Sequence, residues 1–201
     1  MNEILPGIHH WTVLHEGIGF DVSSYYVADS RAVIDPMLPV GGGLDAFSAL
    51  PEPQVVLLTN RHHYRHSEAF AERYGCPLRC HESGLHEFGE REVEGFAYDE
   101  EVAPGILALE MGAICPDDAA LLIGAQAAVA FADGLIHWGG GKIGFVPDRY
   151  MGDDPEGVKR GVRASTKRLL DGHEFESLLF AHGDPITAGG RDALRAFLDS
   201  E

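Results

Sequence analysis

Three histidines crowd one short stretch, Asn60-Arg61-His62-His63-Tyr64-Arg65-His66. Imidazole nitrogen suits Zn, Fe or Mn, so His62, His63 and His66 are candidate metal ligands. Placed on a helix, His62 and His66 would be neighbours four residues apart. The bland reading is a polar loop whose histidines bond backbone or a carboxylate. Arg65 and Tyr64 share the stretch. A guanidinium fork can take a carboxylate or phosphate of a substrate, or it can neutralise Asp133 in an internal salt bridge. Asp133 precedes Gly134, where an Asp commonly bonds its own backbone. His182 follows an apolar run and precedes Gly183-Asp184, so a strand-end His bonded to a neighbour such as Asp133 is one reading. Cys115, in the turn Gly112-Ala113-Ile114-Cys115-Pro116, is either a soft ligand or thiol nucleophile or a buried small hydrophobe. Cys76 and Cys80 read as structural, and His9, His10, His15, His81, His86, His137 and His173 as scattered surface or core residues. Gly41-Gly42-Gly43 lacks the spacing of a phosphate-binding loop.

Those groups need elements to carry them. Ile8 to Leu14, Ser23 to Ala28 and Ala32 to Asp35 read as three short strands, with Gly17, Gly19 and Asp29-Ser30 turning between them. A helix is expected over Leu44 to Leu50. Gln54 to Thr59 is a short, β-branched apolar run, read as a buried strand that delivers the histidine loop. Ser67 to Tyr74 reads as a helix that Ser67 caps and Gly75 ends. Strands are expected at Pro77 to His81, Ile106 to Glu110, Ala119 to Ile123, Ala127 to Ala132 and Leu178 to Ala181, the last two ending at Asp133 and His182. An amphipathic helix runs from about Asp154 to Leu170, and a last helix from Gly190 to Leu198. His137-Trp138-Gly139-Gly140-Gly141 is either a cleft wall or a turn serving a strand pair. Short strands with interspersed helices give an α/β or α+β layered domain.

The chain has 201 residues, enough for one domain with its own core, and no linker divides residues 1–201. Lys plus Arg number 15 against 32 Asp plus Glu, a formal charge of −17. That balance opposes a phosphate backbone, and nucleic acid is not an expected partner. No apolar run is long enough to span a membrane. Three Cys without a CxxC pair, and an N-terminus without the features of a signal peptide, lead to the expectation of a cytoplasmic protein acting on a small molecule.

Taken in order, four segments carry more: Val33-Ile34-Asp35-Pro36, Leu57 to His66, Phe131 to Ile136, and Phe180-Ala181-His182-Gly183-Asp184. Their order and spacing resemble the metallo-β-lactamase-fold superfamily over nearly the whole chain. The resemblance implies an α/β fold, a four-layer αβ/βα sandwich with metal ligands on loops along one edge. Its main signature is T-H-x-H-x-D-H after a strand. An isolated His, a bridging Asp and a final His come later. With Thr59 on the signature Thr, the ligand positions fall on Asn60, His62, Tyr64 and Arg65. One residue later they fall on Arg61, His63, Arg65 and His66. Neither register supplies the Asp, and Ala113 or Ile114 stands at the isolated His. Asp133 and His182 match the two later ligands.

The resemblance therefore implies a degenerate site. It would hold one Zn, Fe or Mn at most, on His62 or His63 with Asp133 and His182, and Arg65 would place a fixed cation where a second metal would sit. One function that follows is hydrolysis of an ester, thioester or lactone-like bond, with Tyr64, Arg65 and Asp133 in the catalytic machinery. The other is a non-catalytic, metal-free protein that binds a small ligand or partner, with Arg65 compensating Asp133.

Overall fold

A computed structural model describes residues 1–138 and 141–200. The chain opens with β1 (Asn2–Leu5), β2 (Ile8–His15), β3 (Phe20–Val27) and β4 (Ala32–Ile34), each antiparallel to the one before. Then β5 (Val55–Leu57), β6 (Leu78–His81) and β7 (Glu94–Phe96) add in parallel, completing a seven-stranded sheet in sequence order. Between β5 and β6 lies α1 (Ser67–Tyr74). A second sheet begins with β8 (Glu101–Ala103), β9 (Ile106–Glu110), β10 (Ala119–Ile123) and β11 (Ala128–Phe131). The pair β12 (Ile136–Trp138) and β13 (Lys142–Gly144) follows, then α2 (Pro155–Gly172). Strand β14 (Ser177–Phe180) pairs in parallel with β11, giving the five-stranded order β14-β11-β10-β9-β8, and α3 (Gly190–Asp199) closes the chain.

Side-chain alternation along the strands builds the layers. Tyr25 faces a core shared by both sheets, with Ile34, Leu57, Ile106, Leu121 and Leu179. Its neighbour Tyr26 faces the opposite side, packing with Phe47, Phe70 of α1 and Cys80. Beyond the second sheet, Phe131, Leu178 and Phe180 pack against Val162 and Leu169 of α2 and Leu194 and Phe197 of α3. Three apolar layers thus separate helix, sheet, sheet and helices, the αβ/βα sandwich. Two polar struts cross the middle layer. The Tyr25 hydroxyl donates to the Phe180 carbonyl (2.8 Å) and accepts from the Phe180 N–H (3.0 Å). The Ser23 N–H donates to the Ala181 carbonyl (2.9 Å).

Several local expectations change. The stretch expected as a helix over Leu44 to Leu50 is a 3-10 turn, Gly43–Phe47. Ser67 does not cap α1. His66 occupies the N-cap position without a side-chain capping bond, and Ser67 begins the helix with its buried hydroxyl unpartnered among the described residues. Gly75 does end it, in the left-handed region at φ 64°. Asp154 caps α2 by accepting from the Gly157 N–H. The edge strands β1, β7 and β8 are additions to the sequence reading, whereas β12–β13 is the strand pair that one of the two readings of His137 to Gly141 named. They are short and half-exposed, so they carry little apolar patterning. In the expected cleft wall, Gly139 and Gly140 lie outside the described residues.

Candidate metal centre

Strand ends meet where the two sheets converge. Strand β4 stops at Ile34, and Asp35 turns the chain in the left-handed region at φ 49°. Its buried carboxylate reaches the loop after β5. There Oδ1 accepts from the Thr59 N–H (2.8 Å), and Oδ2 accepts from the Thr59 hydroxyl (2.5 Å) and from His63 Nδ1 (2.9 Å). With Nδ1–H held by Asp35, a neutral His63 presents its lone pair at Nε2. That atom lies 3.4 Å from Asp133 Oδ1, and His182 Nε2 lies 2.9 Å from the same oxygen. Asn60 finishes the frame. Its Nδ2 donates to Asp133 Oδ2 (2.8 Å), and its Oδ1 accepts from the His62 N–H (2.9 Å), capping the 3-10 turn Arg61–His63.

The charges are balanced locally. Burial alone would lower the His63 imidazolium, but Asp35 first and Asp133 behind it outweigh burial and the opposing Arg65, lifting it to about 9. Burial would raise Asp133, and His63 and His182 instead hold its carboxyl well below the usual carboxylate range. Behind this loop Asp118 is fully buried, and burial, then Asp133, push it well above that range.

Of the predicted residues, the structure brings His63, Asp133 and His182 together, with one ligand atom of each within 4.8 Å of the others. His62 is exposed at the rim of the cleft over them. His66 is exposed too, and its Nδ1 accepts from the Leu38 N–H (3.0 Å). Tyr64 turns away from the site: Arg91 stacks on its ring at 4.5 Å, and it lines a separate groove with Phe88 and Leu78. Arg65 does line the cleft. It forms no salt bridge to Asp133 among the described residues, and Asp133 pairs with the two histidines instead. Arg65 Nη1 donates to the carbonyls of Ser23 and Asp35, both at 2.7 Å. Cys115 is a buried cleft-lining thiol that burial pushes up, which removes thiolate character. The sequence reading missed the work of Asp35, Thr59 and Asn60. An Asp at the end of an apolar strand, ahead of Pro36, was the available signal. It also missed Arg61, whose guanidinium pairs with buried Asp117 and with Glu87 (2.9 Å).

Two imidazole nitrogens and a carboxylate oxygen are a ligand set for one Zn, Fe or Mn. Tetrahedral bonds of about 2.1 Å place ligands about 3.4 Å apart, close to the His63–Asp133 spacing. The Asp35 carboxylate behind His63 is the orienting partner that a ligating imidazole commonly has. The cleft above the trio has a volume of about 720 Å³, with walls from the β2–β3 hairpin, the Ile114–Cys115 turn and the segment around Val146 to Tyr150.

No family model and no curated protein matches the sequence. Solved structures do. The metallo-beta-lactamase family protein TTHA1429 from Thermus thermophilus superposes with a TM-score of 0.69 at 19% identity, over 98% of this chain and 79% of that one. The BLEG-1 B3 metallo-beta-lactamase gives 0.67 at 16%, over 96% and 100%. TTHA1623, solved in a di-iron-bound form, gives 0.57 at 22%, over 92% of each. At these identities the likeness is one of fold: the chain has the metallo-β-lactamase fold.

Proposed function

We propose that this protein is a hydrolase-like member of the metallo-β-lactamase-fold group with a degenerate centre for one metal ion, Zn, Fe or Mn, held by His63, Asp133 and His182. Its substrates would be small molecules with an ester, thioester or lactone-like carbonyl. The observation that carries the reading is the convergence of His63 Nε2 and His182 Nε2 on one Asp133 oxygen, with Asp35 fixing the His63 tautomer from behind. One of the structures similar in fold was solved in a di-iron-bound form, which supports a metal reading for this chain. A bound cation would supply Lewis acidity, polarising a carbonyl or acidifying a water. The chain's own residues do the rest. Asp35 and Thr59 aim His63, Asn60 immobilises the second Asp133 oxygen, and Arg65 adds positive charge near the carboxylates.

One observation favours a second reading. His63, protonated between Asp35 and Asp133, and the nearby Arg65 together balance both carboxylates, so a metal-free ligand-binding cleft is electrostatically complete. Metal content by mass spectrometry separates the two, on protein purified without chelators. The metal reading expects about one equivalent, retained in His62→Ala and lost in both His63→Ala and the Asp133→Ala/His182→Ala double variant. No metal in the unaltered protein, even after loading with excess ion, leaves the ligand-binding reading. Metal lost in His62→Ala but kept in His63→Ala would overturn the assigned ligands.

A further inference from the structure

Three solvent-shielded nitrogens without hydrogen-bond partners among the described residues belong to residues that line the same cleft: Arg65 Nη2, His137 Nε2 and His15 Nδ1. Arg65 is the most constrained. Its backbone is held in the left-handed region at φ 43°, and its Nη1 is saturated by two carbonyls. The guanidinium is therefore fixed, with one donor nitrogen unused. A buried donor without an acceptor is destabilising, so a site that keeps one is matched to an acceptor brought by a ligand. Arg61 and Arg149 line the cleft too, but Asp117 and Glu87 engage the first, and the second stacks over Tyr150 at 4.7 Å. His137 Nδ1 lies 2.6 Å from the Asp184 carbonyl and so carries its proton there, leaving Nε2 as an acceptor for a ligand O–H or N–H.

The walls around these groups are apolar. Among the described residues, the exposed large hydrophobic side chains are Met1, Leu14, Ile18, Phe20, Val40 and Tyr150, and Ile18, Phe20 and Tyr150 line this cleft. Val22, Ile136 and Val146 continue the surface inward. Exposed apolar surface gathered at the mouth of a cleft marks a ligand-binding face. On a chain of formal charge −17, a fixed, underused cation inside that face selects for an anion.

We propose that the cleft binds a carboxylate-headed amphiphile. Its carboxylate accepts from Arg65 Nη2, and its apolar body lies between Ile18 and Phe20 on one side and Val146 and Tyr150 on the other. This names the ligand class of the site proposed above and rests on that cleft being the working site, but it requires no metal. The test is isothermal titration calorimetry of the full chain in chelator, with octanoate, butanoate, octanol and octylammonium as probes. Octanoate is expected to bind tightest, gaining about fourfold in affinity over shorter acids for each methylene buried. Arg65→Met is expected to weaken octanoate at least about tenfold and leave octanol unchanged. Phe20→Ser, on the exposed hairpin, is expected to weaken octanoate and octanol alike. Octanoate binding no better than octylammonium, no binding of any probe, or octanoate binding indifferent to both variants would each overturn the proposal. If Arg65→Met fails to fold, the probe comparison on the unaltered protein and the Phe20→Ser variant still decide. Because the titration is metal-free, an empty metal assay would end the hydrolase reading and leave this result standing, and the reverse also holds.

Discussion

Asp35 is the residue on which the site turns. Its two carboxylate oxygens accept from three atoms of Thr59 and His63, and its own carbonyl accepts from Arg65. Removing its side chain leaves the buried His63 imidazolium without its carboxylate partner and the Arg65 guanidinium without a nearby counter-charge, and Asp35→Ala is expected to cost about 3–5 kcal/mol in stability, read from the denaturant midpoint. Gly183 is a second sensitive point. It stands at φ 101°, and an added Cβ would come within 1.9 Å of the His137 carbonyl oxygen. A backbone oxygen there cannot move aside cheaply, so Gly183→Ala is expected to lose at least about 3 kcal/mol by the same measurement. The residues that could ligate were legible from type and from their place after apolar runs. Which loop histidine enters the site was not. The choice between His62 and His63 depends on Asn60 capping a single 3-10 turn, which rotates His63 inward and His62 to the rim. No periodicity encodes a one-turn rotation. Tyr64 was misread for the same reason, being carried round to face Arg91.

Elements were more readable than residues wherever burial imposed a pattern. Strands β9 and β10 and helix α1 fall on the residues expected, because apolar runs and a left-handed Gly75 bound them. The 3-10 turns escaped. Each buries at most one residue, and Phe47 alone anchors the turn Gly43–Phe47 in the layer over the first sheet. One of them gives a pH prediction. His81 begins the turn Glu82–Glu87, its Nδ1 accepting from the Ser83 N–H, and its ring stacks on Tyr98 at 3.8 Å. Burial lowers its pKa below 6.5, against Glu82 and Asp117. A depressed folded-state value means that its stability contribution is complete above about pH 6.5 and is lost as pH falls through the folded value. Melting temperature should therefore drop on acidification from about pH 7 to about pH 5 less steeply in His81→Asn, which keeps a capping acceptor but cannot be protonated there.

At the scale of the molecule, the sequence resemblance carried the layer order, and the superposed structures agree with it. Composition alone stopped at a layered α/β or α+β domain, since nothing in residue counts says which strands pair. Charge is the other global property. With a formal charge of −17, self-repulsion is unscreened at low salt, and melting temperature is expected to rise as ionic strength increases to about 0.15 M, where the Debye length is about 8 Å. No helix among the described residues is long and apolar enough to cross a membrane.

The Tyr25 and Ser23 struts tie β3 of one sheet to β14 of the other within a few residues of His182. The seam that joins the halves is thus also the floor beneath the proposed ligands. The last amide protons to exchange with deuterated solvent should be those of Ser23 and Phe180. Their release then reports the parting of the two halves, and the cleft cannot outlive it.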